Sequence, residues 1–259
     1  MMDGVQGVQM EGLQIERRGA VTWVWLNRPE KLNALNLPVL TDLHRVFTAF
    51  ADDHETRAVV LAGRGRAFCA GFDVGWMAQR TSESMGADRP YLREVYAAIE
   101  RCPQPVISAV HGDAMGGGLI LTMVSDLVLA TRSARFGAPE VKIGIFPSLL
   151  LIPRLERLIG LRAAQEMALT GDPIGAERAF ELGLVTRLSA DDTLYDEAQR
   201  LAEHLASLPV TAVQTTKASF AAHFQPGYTE WETENAVKCW SAPERSAAMQ
   251  AFLDRKRAR

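Results

Sequence analysis

The chain has 259 residues, of which 47% are hydrophobic and 23% are charged, and its formal net charge is −3. These values exclude an intrinsically disordered chain, and the length allows a core that needs neither disulfides nor a structural metal. The near-neutral charge, with both signs interspersed, gives no electrostatic footprint for a nucleic-acid partner, although residues 255–259 are locally basic.

The cysteines and the apolar segments indicate in which cellular compartment the protein is located. The 3 cysteines have neither paired nor metal-ligand spacing, and an odd number without an export signal favours the reducing cytoplasm. The most apolar stretch, residues 116–130, is shorter than the ~20 residues needed to cross a bilayer. We therefore expect a cytoplasmic protein without a membrane partner.

In the first half of the chain, short β-prone runs alternate with amphipathic helical patterns. The pattern predicts strands over 13–17 and 21–26, a helix over 38–52, a strand over 58–62, a helix over 89–101, a strand over 106–110, a helix over 117–124 and a strand over 127–130. Such alternation implies crossover units and a mainly parallel sheet. Residues 85–88, just before the second helix, are predicted to form a mobile loop.

From about residue 147 onward, strand signals nearly vanish and helical periodicity dominates. The predicted helices cover 149–159, 162–170, 175–182, 192–207, 210–222, 228–240 and 243–256. The standard motifs for phosphate binding, zinc proteolysis, serine nucleophiles and dithiol chemistry are absent. We therefore expect neither a metal nor a nucleophilic catalytic residue.

Two segments share one design, a buried strand followed by a glycine-bearing turn and a helix. They are A-F-C-A-G-F-D at 67–73 and H-G-D-A-M-G-G-G at 111–118. Small residues at such turns leave backbone N–H groups open to a ligand, and the dipole of the helix adds positive charge. Either turn alone is explained by close packing of a helix on a sheet. If both point at one spot, they form an oxyanion hole.

These motifs and several others resemble the enoyl-CoA hydratase/isomerase (crotonase) superfamily, in the family's order and at its spacing. The other stretches are R-P-E-K-L-N-A-L at 28–35, P-V-I-S-A-V-H-G at 105–112, F-G-A-P-E-V-K-I-G at 136–144, L-T-G-D at 169–172 and G-L-V at 183–185. The resemblance implies an α/β fold, a crotonase-like spiral of ββα and βαβ turns over residues 1–195. It also implies a helical C-terminal region over 196–259 that mediates trimerisation, in a homotrimer or a dimer of trimers.

The resemblance also assigns roles. The backbone N–H groups of Ala70 and Gly117 would hold the thioester carbonyl of an acyl-CoA substrate, and Glu140 would be the catalytic carboxylate. Coenzyme A enters as part of that substrate, so no separate cofactor is expected. The residues placed along the CoA path are Lys31, Leu32, Ala34, Ala67, Phe68 and Asp73, with Phe252 and Arg255 reaching CoA from the C-terminal helix, commonly from a neighbouring subunit.

One departure from the family pattern bears on the reaction. Hydratases of this family use two glutamates to hold water, and the first of them is replaced here by Ile120, while the second is kept as Glu140. Typical hydratases also have a glycine-rich stretch where this chain has four aliphatic residues at 149–152. Isoleucine cannot orient a water molecule, and an apolar pocket would raise the pKa of Glu140.

A single base suffices to move a double bond, because it can remove a proton from C2 and return it at C4 of the same enolate. We therefore expect an isomerase that converts 3-enoyl-CoA to trans-2-enoyl-CoA. Hydration with Glu140 alone or with a carboxylate from elsewhere is the alternative, followed by decarboxylation, hydrolysis or carbon–carbon cleavage of a thioester. The alternative outside catalysis is a protein that binds acyl-CoA but has lost activity. An RNA-binding role has only the basic tail in its favour.

Overall fold

The computed structural model describes residues 10–222 together with Glu234 and Glu244. Apart from those two glutamates, the helices predicted over 228–240 and 243–256 lie outside the described residues. The same holds for Phe252 and Arg255, the two predicted CoA contacts of the last helix.

A six-stranded sheet forms the centre of the fold. Its strands, in spatial order, are β1 (Leu13–Arg18), β2 (Val21–Leu26), β3 (Ala58–Gly63), β4 (Val106–Val110), β6 (Leu127–Thr131) and β9 (Arg187–Ser189). The β1–β2 hairpin is antiparallel, and every later pair is parallel. The predicted mainly parallel sheet is confirmed, with the β1–β2 hairpin at its edge.

A second sheet of three short strands lies beside the first. It orders β5 (Asp113–Met115), β7 (Arg135–Gly137) and β8 (Ile174–Gly175). The helices are α1 (Leu37–Ala49), α2 (Val74–Ala78), α3 (Ser82–Arg101), α4 (Gly117–Met123), α5 (Leu151–Ile159), α6 (Leu161–Thr170), α7 (Ala176–Glu181), α8 (Leu194–Ala206) and α9 (Val210–Ala222). The predicted α/β class is therefore confirmed.

The alternation of side chains along β2 sends alternate residues to two different cores. Val24 and Leu26 join the larger core, which also contains residues of α1, α3 and α4. Trp23 and Trp25 face the other way, and their stacked rings, with centroids 4.8 Å apart, pack against α8. Because both faces are covered, all six residues of β2 are buried, as expected for a strand inside an α/β sheet.

Helix α8 packs on the central sheet. A division between residues 195 and 196 falls inside this helix, whose Leu194, Ala198 and Leu201 pack on the sheet with Trp23. The helix therefore belongs with the sheet core.

Two further predictions need correction. Residues 85–88, predicted as a mobile loop, lie inside α3, which begins earlier at a capping box formed by Thr81 and Ser84. The helix tolerates Pro90 because the carbonyl left without its N–H partner is that of exposed Gly86, which solvent can reach. Strands also occur after residue 147, as the short β8 and β9, which lie below the length at which periodicity is visible.

One buried side chain ties the first loop of the chain to the turn that follows β3. Asn33 has a left-handed backbone with φ +57 and is 1% exposed. Its side-chain amide nitrogen donates to the carbonyls of Arg64 and Ala67, both at 2.8 Å, and to that of Phe68 at 3.2 Å. Its oxygen accepts from the Arg28 backbone at 2.9 Å. Asparagine suits this position because it tolerates the left-handed region and carries both donors and an acceptor.

This network predicts the effect of Asn33→Asp. The variant keeps the shape but places one carboxylate oxygen where the amide nitrogen donates to three carbonyls, so it should lower the free energy of unfolding by about 3 kcal/mol or more. Asn36→Asp is the matched control, because Asn36 caps α1 only by accepting from the Val39 N–H, which aspartate also does. Urea titration of both variants measures the difference, and equal stabilities would contradict the role given to Asn33.

Candidate active site

A cavity of about 310 Å³ opens where the two glycine-bearing turns meet the 3₁₀ turn Pro139–Ile143. Three of the predicted site residues line it, namely Ala70, Gly117 and Glu140. The remaining wall is mostly apolar and comes from α2, α3, α4 and the loop before α5: Phe72, Val74, Met77, Met85, Leu92, Ile120, Ile143, Ile145, Phe146 and Leu149. The structure therefore brings the predicted donors and the predicted base to one pocket.

The two turns are held side by side by backbone hydrogen bonds. The Cys69 N–H donates to the Asp113 carbonyl, and the Met115 N–H donates to the Cys69 carbonyl, both at 2.9 Å. A Cβ atom at Gly118 would lie 2.3 Å from the Cys69 carbonyl oxygen, so only glycine allows α4 to approach this closely. The second turn thus packs directly on the first.

The amide assigned to the oxyanion hole in the first turn is corrected by the structure. The Ala70 N–H donates to the Leu32 carbonyl at 3.0 Å, so it is not open to a ligand. Two residues further along, the Phe72 N–H has no acceptor among the described residues, although the neighbouring Gly71 carbonyl and Asp73 N–H both bond Leu35. Phe72 lines the cavity, and its amide is the one that this turn leaves open.

The second donor position is retained. Gly117 begins α4, and its N–H has no acceptor among the described residues, as expected in the first turn of a helix. The Cβ position of Gly71 lies 3.5 Å from the Gly117 nitrogen, which shows how close the two turns are. An oxygen between Phe72 and Gly117 could accept from both amides.

A buried tyrosine supports the second turn. The Tyr96 hydroxyl donates to the Gly117 carbonyl at 3.2 Å, and a Cβ at Gly117 would meet that hydroxyl at 2.8 Å. Burial raises the pKa of Tyr96 well above its ordinary value, so the hydroxyl keeps its proton and remains a donor. The sequence offered no signal for this contact, because Tyr96 reads as an ordinary apolar position of α3.

Glu140 is placed on the 3₁₀ turn, with its side chain beside the second glycine turn. A Cβ at Gly116 would lie 2.8 Å from Oε1 of Glu140, so this glycine leaves the room that the carboxylate occupies. Oε2 is buried and has no hydrogen-bond partner among the described residues. Burial raises the pKa of Glu140, because the loss of water around the ionised form outweighs the hydrogen bond from its own backbone amide.

Ile120 is 2% exposed and forms part of the same wall. Among the described residues that line the cavity, Glu140 is the one carboxylate. The described part of the cavity wall thus offers one carboxylate, with an isoleucine at the position where the family's hydratases have a second.

The other predicted CoA contacts surround the first turn without lining the cavity. Lys31 is exposed in a 3₁₀ turn, and the Leu32 carbonyl accepts the Ala70 N–H. Ala34 is half-buried, and its carbonyl accepts from the guanidinium of Arg28 at 2.7 Å. These residues form one continuous segment next to the turn after β3.

Three of the assigned positions have structural duties as well. Ala67 and Phe68 are buried, and their carbonyls accept from Asn33, so neither side chain reaches a surface groove. The Asp73 carboxylate caps α2 by accepting from the Gly75 and Trp76 amides and pairs with Arg28 at 3.3 Å. The carboxylate of Asp73 is thus already occupied.

The aliphatic stretch that replaces a glycine-rich segment keeps a backbone typical of glycine. Leu149 and Leu150 have φ +58 and +64, in the left-handed region that leucine rarely adopts. Arg154 holds this turn, since its guanidinium donates to the Leu149 carbonyl at 3.2 Å and pairs with Glu100 of α3 at 2.8 Å. The turn presses Leu149 into the cavity wall, while Leu150 stays half-exposed.

No group of three or more histidine, cysteine, aspartate or glutamate side chains among the described residues is arranged to hold a metal ion. Within the same part of the chain, no helix is long and apolar enough to cross a membrane.

Comparison with known proteins gives a consistent family. The family model described as enoyl-CoA hydratase/isomerase matches residues 16–259. The short-chain-enoyl-CoA hydratase of Clostridium acetobutylicum is 32% identical over 254 residues, covering 96% of this chain and 97% of that protein. The crotonyl-CoA hydratase of Syntrophomonas wolfei is 31% identical over 252 residues, with coverages of 96% and 97%.

Solved structures agree with the sequence relatives. The crystal structure of an enoyl-CoA hydratase from Bacillus anthracis superposes with a TM-score of 0.90 at 31% identity, covering 95% of this chain and 97% of that one. An enoyl-CoA hydratase from Mycobacterium smegmatis superposes with a TM-score of 0.89 at 35% identity, covering 94% and 96%. The spiral expected from the resemblance is therefore confirmed.

The unpaired carboxylate of Glu140 should make the folded protein less stable when it is ionised. Because its pKa is raised in the folded protein, ionisation at neutral pH costs folding free energy, and that cost disappears below the ordinary glutamate pKa. Glu140→Gln should therefore raise the melting temperature at pH 7 by about 2 to 4 °C, the effect of about 1 kcal/mol in a protein of this size.

Calorimetric scans from pH 7 to pH 4 measure this effect, and the advantage of the variant should shrink as the pH falls. Glu156→Gln, on exposed surface of α5, serves as control and should show no such trend. A wild-type protein that is more stable than Glu140→Gln at pH 7 would contradict the assignment of an unsatisfied carboxylate.

The roles of the Ala70 and Phe72 amides can be distinguished by replacing each backbone N–H group, one at a time, with an ester oxygen. An ester at Phe72 should lower kcat for thioester substrates about a hundredfold or more, with little change in stability, because it removes an oxyanion donor. An ester at Ala70 should instead lower stability by about 1 kcal/mol, since it removes the bond to Leu32. Steady-state kinetics and thermal melts of both proteins report the two effects, and the reverse pattern would restore Ala70 as the donor.

Proposed function

The chain belongs to the enoyl-CoA hydratase/isomerase family and is thus an acyl-CoA enzyme, and from that premise we propose that it converts 3-enoyl-CoA to trans-2-enoyl-CoA. The observation that carries this choice is the composition of the cavity wall, where Glu140 is the one carboxylate among the described lining residues and Ile120 is a buried apolar part of the same lining.

The proposed chemistry begins with the thioester carbonyl between the amides of Phe72 and Gly117. Glu140 removes a proton from C2, and the negative charge moves onto the thioester oxygen, where two preorganised N–H donors stabilise it. The same carboxyl group then returns the proton to C4, and the double bond moves from the 3,4 to the 2,3 position. Atoms balance without water, because the proton removed is the proton returned.

The surroundings of Glu140 suit a base that acts on carbon. A C–H group beside a thioester is a weak acid, so a carboxylate with a raised pKa is a better proton acceptor than an ordinary one. An apolar wall also keeps water away from the enolate, which favours proton return over side reactions.

Hydration of 2-enoyl-CoA is the second candidate, and the names of the relatives favour it. In that reaction Glu140 alone would have to orient the water, remove its proton and protonate C2. Simple acyl-CoA binding without catalysis is disfavoured, since a binding protein gains nothing from a buried carboxylate whose Oε2 lacks a partner.

We also propose that coenzyme A lies along the segment formed by Lys31, Leu32 and Ala34, beside the turn that contains Ala67, Phe68 and Asp73. The side chain of Phe68 is buried, which leaves mainly backbone atoms for this contact. Assembly as a homotrimer or a dimer of trimers is the proposed oligomeric state, with Phe252 and Arg255 completing the CoA site.

Product analysis with 3-enoyl-CoA and with 2-enoyl-CoA tests the choice between the two reactions. The isomerase proposal expects a new conjugated thioester from 3-enoyl-CoA and only slow hydration of 2-enoyl-CoA. Hydration at ~10 per second, a typical enzymatic turnover, would overturn it.

Variants of Ile120 sharpen this test. Ile120→Ala should reduce isomerisation far less than Glu140→Gln does, while it lowers the free energy of unfolding by about 2 kcal/mol through lost packing. Ile120→Glu places a second carboxylate near Glu140 and should raise the ratio of hydration to isomerisation. An unchanged ratio would show that the missing second carboxylate does not decide the reaction.

A further inference from the structure

The cavity that holds Glu140 shares a wall with a second cavity of about 230 Å³. The residues common to both are Arg89, Phe146, Ser148 and Leu149, while Arg93 lines the second cavity alone. The Glu140 cavity thus adjoins a second cavity whose lining includes the guanidinium groups of Arg89 and Arg93 and the hydroxyl of Ser148.

The two arginines have no counter-charge among the residues that the structure describes. Arg89 and Arg93 lie one turn apart on α3 and form no ion pair with any residue in the described ranges, and the Ser148 hydroxyl makes no hydrogen bond there. Like charges at this spacing destabilise a helix. A pair that costs stability and has no internal partner is suited to an anion from outside.

The acidic residues of the same helix are engaged elsewhere. Asp88 pairs with Arg80, Glu94 pairs with Arg101, and Glu100 pairs with Arg154. Glu83 lies in the first turn of the helix, six positions before Arg89. None of them therefore neutralises the wall between the cavities.

Arg89 and Ser148 lie on the wall that the first cavity shares with the second, whereas Glu140 lines the first cavity alone. With the thioester at Glu140, an acyl chain that runs toward the shared wall would end at the guanidinium of Arg89. An acyl chain that is apolar throughout would leave this guanidinium without a partner.

We propose that Arg89 and Ser148 bind a carboxylate at the far end of the acyl group, so that the preferred ligands are CoA thioesters of dicarboxylic acids. This proposal rests on the assignment of the Glu140 cavity as the acyl pocket. A guanidinium and a hydroxyl together offer charge-assisted hydrogen bonds to a carboxylate, and Arg93 adds positive potential in the second cavity.

The expected preference is moderate, because Arg89 is only half-buried and stays hydrated when the site is empty. One charge-assisted hydrogen bond in such a setting corresponds to roughly a tenfold difference in affinity. The preference should also fall as salt rises, since an exposed ion pair is screened.

Titration calorimetry with two saturated thioesters of equal chain length, adipyl-CoA and hexanoyl-CoA, tests the proposal. Adipyl-CoA, or suberyl-CoA against octanoyl-CoA for a longer reach, should bind about tenfold more tightly than its methyl-ended partner. In Arg89→Met that preference should vanish while hexanoyl-CoA binds as before, and in Arg89→Lys part of it should remain. Arg101→Met, on the same helix but lining neither cavity, should leave the preference intact.

Equal affinities at both chain lengths in the wild-type protein would overturn the proposal. So would an Arg89→Met variant that loses affinity for both thioesters equally, since that would place Arg89 on the CoA moiety or in the fold. These thioesters have no double bond, so the result does not depend on whether the enzyme isomerises or hydrates. Failure of all four thioesters to bind would instead count against the acyl pocket itself.

Discussion

The contact between the two glycine turns is the constraint on which the rest of this structure depends. The first residues of α4 press on the Cys69 carbonyl so closely that Gly118 has no space for a Cβ atom, and Gly71 leaves the same gap on the other side. Parallel strands end at one edge of the sheet, which brings these turns together. That contact sets the positions of the paired amides, of the space that Glu140 occupies and of the Tyr96 hydroxyl.

The fold was largely predictable because its central strands are continuous apolar runs between clear turns. The strand that covers residues 58–62 in the pattern extends to Gly63 in the structure, and helix α1 begins at Leu37 after a capping Asn36. Failures occurred where local signals compete with tertiary structure. Gly86 and Pro90 indicate a break, yet α3 continues through them because packing of Leu92, Val95 and Tyr96 in the core outweighs their low helix propensity.

The residue types of the site were predictable from the sequence, but the backbone amide that the first turn leaves open was not. The assignment of Glu140 and Gly117, and the absence of a second carboxylate at Ile120, followed from the family resemblance of the motifs. The choice between Ala70 and Phe72 did not, because it depends on which amide finds an acceptor, and the partner of Ala70, the Leu32 carbonyl, lies in a loop that precedes it by many residues. Arg89 was not predicted as a site residue, because a charged residue on an amphipathic helix normally lies on the solvent-exposed face.

Cys69 occupies the middle of the first turn, one position before Ala70, and this location has a consequence for the protein under oxidative conditions. The thiol is fully buried, donates to the Asn33 carbonyl at 3.2 Å, and has its pKa raised to about 12. Peroxides and alkylating reagents attack the thiolate, which this environment suppresses. The turn that packs on the second glycine turn thus contains a sulfur that packs as a small apolar group in the core, and activity should persist in cells whose exposed cysteines have been oxidised.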